Sequence, residues 1–115
     1  MWVFPETTAA ANNDATLDDA GIHIFTYIHC VHCKELKKSS YELFGKEICK
    51  VHDGIRVYNH DYSSYNTRSL KKLKYQVVAY PTICFKKDGA PPQNYNGART
   101  SLDISTAFHD YLQNL

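Results

Sequence analysis

The most constraining feature of the sequence is an abrupt change of hydrophobic pattern near residue 30. The segment Gly21–Ile28 is almost continuously β-branched and aromatic, which is typical of a strand buried on both faces. From Val31 to about Glu47, apolar residues recur at helical spacing and charged residues occupy the opposite side. A strand that passes directly into a helix in this way is a building unit of α/β domains.

The rest of the chain continues the alternation of strands and helices. Patterning predicts strands at Ile55–His60, Thr82–Phe85 and near Gln93–Asn96, a short helix containing Leu70, Leu73 and Val77, and a last helix beginning near Ser101 as its N-cap, with Leu102 mostly inward. The order is β-α-β-α-β-β-α, and its last two strands form an antiparallel hairpin over the Asp88-Gly89 turn. This order predicts an α/β fold with a central mixed sheet and helices on both faces.

The chain length favours one domain. A total of 115 residues predicts a single domain over 1–115 with its own hydrophobic core. Residues 1–19 are expected to add a β/α element or an irregular segment, since Trp2-Val3-Phe4 has the character of a short edge strand that Pro5 ends.

Composition argues against several classes of partner. Thirteen Lys and Arg against twelve Asp and Glu give a net charge of +1, which removes the electrostatic case for binding nucleic acid or an anionic membrane. No apolar run approaches the ~18 residues of a membrane span. The sequence shows no nucleotide-binding signature either. We expect no cofactor, no metal, no nucleic acid or membrane partner, and a monomeric state.

The chemistry of the chain centres on Cys30-Val31-His32-Cys33, where the predicted strand becomes the predicted helix. A spacing of three residues puts both sulfurs on one side of the first helical turn. The unpaired backbone N–H groups and the dipole at this end of the helix favour an anion, and a protonated His32 adds positive charge. We therefore expect Cys30 to be the exposed nucleophilic thiolate and Cys33 the more buried resolving thiol.

A thiolate at such a position supports dithiol–disulfide exchange. Cys30 attacks a disulfide of a client protein, and Cys33 then resolves the mixed disulfide. In reverse, the same steps oxidise a client dithiol. The sequence thus predicts a protein thiol–disulfide oxidoreductase whose partners are protein or peptide thiols and disulfides, together with a reductase or oxidase that recycles it.

Other motifs follow at intervals that are more specific than the cysteine pair alone. They are Cys30-Val31-His32-Cys33-Lys34, Val78-Ala79-Tyr80-Pro81-Thr82, Phe85 with Asp88-Gly89, and Tyr95-Asn96-Gly97-Ala98-Arg99. With these motifs, the chain from about Gly21 to Leu112 resembles the thioredoxin superfamily, and within it the catalytic (a-type) domains of protein disulfide isomerases. The resemblance implies a thioredoxin fold with its redox pair at a strand-to-helix turn.

The resemblance also implies roles for single residues outside the pair. Pro81 would be a cis proline, and the backbone of Tyr80 before it would pair with the client chain. Arg99 matches the arginine that approaches the active site in these isomerases and tunes the buried thiol. His32 matches the histidine of their Cys-Gly-His-Cys centre, and is expected to make the protein a better oxidant by favouring the reduced form.

The chain departs from the family pattern at several positions. His29 stands where Trp usually precedes the first cysteine, and we expect it at the rim, in contact with the client. Ile24 takes the place of a buried acid, Lys38 that of a helix-kinking proline, and Arg56 lies close to the place of the acid's lysine partner. Without the acid, proton transfer to and from Cys33 should be slower.

A binding role without redox activity is an alternative for a chain of this fold. Such a module would keep the thioredoxin fold and hold polypeptides on its Tyr80-Pro81 surface. The isomerase resemblance implies the endoplasmic reticulum or the secretory pathway, and the cytoplasm is the alternative because no signal-peptide pattern is visible at the N-terminus.

A zinc-binding domain is the third reading. Cys30, Cys33, Cys49 and His52 have the order of a Cys3His ligand set. The predicted helix between the second and third of these cysteines separates them by ~24 Å, which is too far for ligands of one metal ion. Cys49 and Cys84 are expected to be buried small hydrophobes, and a disulfide between them is the alternative.

Overall fold

The computed structural model describes residues 2–4, 17–27, 29–34, 56–62 and 74–113. The strands are β1 (Trp2–Phe4), β2 (Gly21–Tyr27), β3 (Arg56–Tyr62), β4 (Thr82–Lys86) and β5 (Gln93–Tyr95). Helix α1 spans Ser101–Gln113, and residues 31–34 are helical directly after Cys30.

The described strands form one mixed sheet with the order β1-β3-β2-β4-β5. Strand β2 runs parallel to β3, whereas β1 pairs with β3, β4 with β2, and β5 with β4 in antiparallel fashion. The predicted mixed α/β architecture is confirmed. Because β2 is the middle strand, the turn at Cys30 that follows it leaves from the centre of the sheet.

One face of the sheet packs against helix α1. Its buried residues alternate along the strands, as side chains of one face must, and they meet the inner side of the helix. This cluster consists of Ile22, Ile24, Val57, Ile83, Phe85, Ile104, Phe108 and Tyr111. The continuous apolar pattern of β2 follows from this arrangement, since its alternate residues are buried on the opposite face as well.

The opposite face holds a second cluster that is rich in aromatic rings. It consists of Leu17, Phe25, Tyr75 and Cys84, with Val77 and Tyr80 packed against it. The hydroxyl of Tyr75 donates a hydrogen bond of 2.7 Å to the carbonyl oxygen of Leu17. Burial of this hydroxyl raises the pKa of Tyr75, so the phenol stays protonated.

Strand β3 and the segment before β4 differ from the sequence-based predictions. Strand β3 continues to Tyr62, past the predicted end at His60, because each of its residues pairs with one of β2 as far as Tyr27. Val77 is not helical, as residues 75–77 have no regular secondary structure. Its side chain packs against the second cluster from an irregular segment. The spacing of apolar residues alone does not distinguish such a segment from the apolar face of a helix.

Helix α1 also begins differently in detail. Its N-cap is Thr100 rather than Ser101, since the Thr100 hydroxyl accepts a hydrogen bond of 3.1 Å from the backbone N–H of Asp103. The Thr100 hydroxyl also donates to the Asp103 carboxylate. Leu102 is 74% exposed instead of inward, because the helix turns its Ile104 side to the sheet.

Glycines stand at two positions that require them. Gly21 has φ 149° and opens β2, where a Cβ atom would collide with the backbone carbonyl oxygen of Arg56 on β3. Gly89 has φ 76° in the turn between β4 and β5. The turn predicted from Asp88-Gly89 is thereby confirmed.

Several predicted features lie outside the described residues. These are the helix from residue 35 onwards with Lys38, the helical positions Leu70 and Leu73, and the two remaining residues of the zinc pattern, Cys49 and His52. In the described part of the chain, no helix has the length and apolar character that crossing a membrane requires.

Candidate active site at the Cys30–Cys33 turn

The two cysteines of the quartet are joined as a disulfide at the start of the helical turn 31–34. Their Cα atoms lie 5.2 Å apart, a usual separation for bridged cysteines. The backbone N–H of Cys30 donates a hydrogen bond of 3.0 Å to the carbonyl of Tyr27, and that of Lys34 donates one of 3.3 Å to the carbonyl of Cys30. The helix therefore begins where the pattern predicted, directly after Cys30.

The two bridged cysteines differ in their exposure to solvent. Cys33 is only 4% exposed, while Cys30 is half-buried and is flanked by the exposed residues His29, Val31 and His32. The backbone N–H of Cys33 points at the sulfur of Cys30 across 3.2 Å. An N–H group at a helix N-terminus directed at this atom stabilises negative charge on it.

A second loop with a cis peptide bond precedes strand β4. The Tyr80–Pro81 bond is cis, as the resemblance implied. Pro81 is buried, Tyr80 is half-buried, and the hydroxyl of Thr82 donates to the carbonyl of Ala79 and closes the turn between them. Val78, at the start of this loop, is 96% exposed.

The ring of Tyr27 connects the two loops. It stacks on Tyr80 with ring centroids 5.7 Å apart and makes an edge-on contact with His29 at 5.5 Å. The cis-proline loop and the cysteine turn are thus held side by side at the end of β2. Sequence reasoning treated Tyr27 only as a strand residue; its position three residues before Cys30 was the available signal.

Arg99 lies on the same side of the site as Pro81. Both line a cavity of about 260 Å³, together with Asn94 and Tyr95 from β5. Arg99 is exposed. Its predicted role in tuning the thiol of Cys33 stays a prediction.

An apolar residue stands where the family pattern has a buried acid. Ile24 is fully buried and pairs with Asn59 of β3 on one side and Ile83 of β4 on the other. Further along the same face of β2, Thr26 and Asn59 are hydrogen-bonded to each other through their side chains, and both are buried. An uncharged amide–hydroxyl pair therefore occupies the region between the two parallel strands near the cysteine turn.

The remaining described cysteine is not part of the site. Cys84 is fully buried in β4, and its thiol donates a hydrogen bond of 3.1 Å to the side-chain oxygen of Asn94. Burial raises the pKa of Cys84 to about 12, which keeps it a thiol. The described residues contain no group of three or more His, Cys, Asp or Glu side chains arranged to hold a metal ion.

Comparison with known proteins agrees with this geometry. The structure superposes on the first thioredoxin domain of mouse protein disulfide-isomerase A4 with a TM-score of 0.66 at 24% identity, covering 89% of this chain and 69% of that one. For the Trx4 domain of ERdj5 the TM-score is 0.65 at 16% identity, over 90% and 95% of the two chains. The J-Trx1 fragment of ERdj5 gives 0.58 at 17% identity over 84% of this chain, which spans 43% of that fragment.

The family follows from the sequence rather than from these superpositions. No curated protein matches the sequence significantly, and identities below 25% show the fold alone. The sequence profile of the thioredoxin family, however, matches residues 5–110, which is nearly the whole chain. Together with the mixed sheet, the disulfide after its central strand and the cis proline, this match shows that the chain belongs to the thioredoxin family.

Proposed function

We propose that the chain is a protein thiol–disulfide oxidoreductase that works through Cys30 and Cys33. One observation carries the proposal: Cys30 is the partly exposed residue of the bridged pair, and its sulfur receives a backbone N–H bond at a helix N-terminus. A structural disulfide gains nothing from such placement. A reactive one needs an attackable sulfur that is also a stabilised thiolate after reduction.

The bridged state accepts electrons from a client dithiol. A client thiolate attacks the sulfur of Cys30, which forms a mixed disulfide and releases the thiolate of Cys33. The second client thiol, once deprotonated, attacks its own mixed-disulfide sulfur and releases Cys30. One client disulfide has then formed, two electrons have moved to the cysteine pair, and the two protons of the client thiols have left for the pair or the solvent.

The reduced state runs the same steps backwards. The thiolate of Cys30 attacks a client disulfide and displaces one client thiolate. Cys33 then attacks Cys30, re-forms the internal disulfide and releases the second client thiolate. Because Cys33 is buried, it meets Cys30 and not solvent-borne disulfides, which supports its role as the resolving thiol.

Four further residues are proposed to assist. Tyr80, through its backbone beside the cis bond, and His29 contact the client chain; His32, exposed in the turn, stabilises the thiolate of Cys30. Arg99 adds positive charge on the Pro81 side of the site.

Covalent trapping is the direct test of the proposal. Cys33→Ala should leave mixed disulfides between Cys30 and client proteins, visible as adducts that disappear on reduction. Cys30→Ala is the matched control and should give none. The rate at which the wild-type protein reduces insulin in the presence of a thiol reductant measures its exchange activity. Equal adduct levels in both variants, or no adducts in either, would contradict the proposal.

A redox-silent polypeptide-binding module is the second candidate. Two observations favour it: the fully exposed Val78 in the cis-proline loop offers an apolar contact, and the apolar Ile24 offers no proton acceptor. Such a module would bind unfolded polypeptides equally well after Cys30→Ala. The oxidoreductase would lose its insulin reduction with the same change.

A further inference from the structure

We propose that Tyr27 is a positioning residue that fixes the client-binding loop at Tyr80 against the reactive turn at Cys30. The inference rests on the proposed function and adds a residue that no sequence motif singles out. It predicts that Tyr27 governs how well a polypeptide client binds, while the intrinsic reactivity of the cysteine pair depends on other groups.

The backbone of Tyr27 holds the cysteine turn. Tyr27 is the last residue of β2 and pairs with Tyr62 of β3, so its main chain is fixed by the centre of the sheet. Its carbonyl accepts the hydrogen bond from the N–H of Cys30 at 3.0 Å. The first cysteine is thereby tied to the strand through a bond that does not involve the tyrosine ring.

The ring of Tyr27 holds the other loop. It lies nearly parallel to the ring of Tyr80, at an interplanar angle of 26° and a centroid distance of 5.7 Å. On its other side it meets His29 edge-on, at 73° and 5.5 Å. Both distances fall within the ~4.5–7 Å range of favourable ring pairs.

The contact with Tyr27 adds to those that Tyr80 makes with the sheet. Tyr80 packs with Val77 against the buried cluster that contains Phe25 and Tyr75. The ring of Tyr27 covers it from the direction of the cysteine turn. Removal of that ring leaves Tyr80 and His29 without a shared contact, while the hydrogen bond from Cys30 to the main chain remains.

The backbone and the ring of Tyr27 should therefore affect different kinetic parameters. Loss of the ring is expected to raise the KM for a polypeptide disulfide, since the two client-contacting residues lose their common support. It is expected to leave the reaction of Cys30 with a small disulfide unchanged, since the backbone bond and the N–H of Cys33 are still in place.

The test compares the reduced wild-type protein with Tyr27→Ala and Tyr27→Phe. The readouts are KM and kcat for insulin reduction and the rate constant for the small disulfide dithionitrobenzoate. For Tyr27→Ala we expect a KM that is roughly 3- to 10-fold higher, the factor corresponding to one aromatic pair. The dithionitrobenzoate rate should stay within about twofold of wild type. Tyr27→Phe keeps the ring and should restore the wild-type KM.

A matched control separates positioning from general loss of stability. Tyr111→Ala removes a ring of the same size from helix α1, where it contacts Phe85 and Phe108 in the other buried cluster. It should lower the melting temperature without raising KM. If Tyr27→Ala does not fold, Tyr27→Leu, which keeps apolar volume but no ring, takes its place with the same expectation.

Several results would overturn the inference. They are an unchanged KM in Tyr27→Ala, an equal rise of KM in Tyr111→Ala, and equal loss of the insulin and dithionitrobenzoate rates. Failure of the proposed function would give a different result, because the wild-type protein itself would then reduce no insulin. The inference about Tyr27 would fail with it.

Discussion

The imidazoles of His23 and His60 are hydrogen-bonded to each other in the protein interior, with Nδ1 of His23 2.8 Å from Nε2 of His60. Both side chains are fully buried, and their rings lie nearly parallel, at an interplanar angle of 6°. His23 stacks on Tyr58, and His60 stacks on Phe25. Nε2 of His23 lies 2.8 Å from the carbonyl oxygen of Asp19.

This geometry fixes the tautomer of each ring. A carbonyl oxygen only accepts, so Nε2 of His23 carries a hydrogen. Burial lowers the pKa of both histidines and so favours neutral rings, in which Nδ1 of His23 is an acceptor. Nε2 of His60 must then donate to it. Nδ1 of His60 is left as a buried lone pair with no hydrogen-bond partner in the described part of the chain.

The neutral pair makes folding stability depend on pH. Burial lowers the pKa of His23 to about 4 and also lowers that of His60, with the neighbouring Lys86 opposing charge on His23. An unfolded chain takes up both protons below its ordinary histidine pKa of ~6.5. The contribution of the neutral pair to the free energy of unfolding should thus be fully present above pH ~6.5. It should fall as the pH drops towards 4, by up to ~1.4 kcal/mol per pH unit for each histidine. Urea unfolding at pH 7.5, 6.5, 5.5 and 4.5 measures this slope.

The variant His23→Leu/His60→Leu is the control for that slope, because carboxylates also titrate in this range. Its free energy of unfolding should vary less between pH 6.5 and 4.5 than that of the wild type. Parallel curves for the two proteins would show that the pair is not the cause. The single change His60→Leu should destabilise by roughly 1–3 kcal/mol, because it leaves Nδ1 of His23 buried without a donor.

Replacement of His32 should shift the redox balance of the pair. His32 is exposed in the turn between the two cysteines, and its proposed role is to favour the thiolate of Cys30 through positive charge. His32→Leu should therefore lower the reduction potential by about 10–30 mV, measured by equilibration with glutathione buffers. Lys34→Leu, a change of a nearby cation one turn into the helix, serves as a comparison and should shift the potential less. An unchanged potential in His32→Leu would refute the role.

The described cysteines should differ sharply in their reactivity towards an alkylating reagent. In the reduced native protein, a short pulse of iodoacetamide at pH 7 should modify Cys30 first. Cys84 should react only after unfolding in urea, because it is fully buried and its thiol pKa is raised to about 12. Peptide mass spectrometry after the pulse identifies the modified sites. Rapid native labelling of Cys84 would contradict the burial of strand β4.

Substitution of Gly21 should destabilise the sheet at its centre. Gly21 has φ 149°, and an added Cβ atom would collide with the carbonyl oxygen of Arg56. Gly21→Ala is expected to lower the free energy of unfolding by ~1–3 kcal/mol through backbone strain, and the collision should lower it further. Gly89→Ala, at φ 76° but with no atom near the added Cβ, should cost less. Thermal melts of the two variants give the comparison.

The sequence predicted those parts of the fold whose signals are local. The strand at Gly21–Tyr27, the helix start after Cys30 and the turn at Asp88-Gly89 each follow from neighbouring residues. The cis bond before Pro81 followed from the family resemblance. Errors arose where one local pattern fits two structures: Val77 has helical spacing but packs from an irregular segment, and the N-cap lies one residue before Ser101.

What the sequence determined by itself was the order of the described strands and the place of the cysteine pair at a strand-to-helix turn, because spacing along the chain sets both. Only the tertiary structure decided which distant side chains meet. His23 and His60 lie 37 residues apart and looked like scattered histidines until the parallel register of β2 and β3 placed them together. Tyr27 and Tyr80 likewise meet only because β4 pairs beside β2. Such contacts depend on register and loop closure, which a local pattern does not encode.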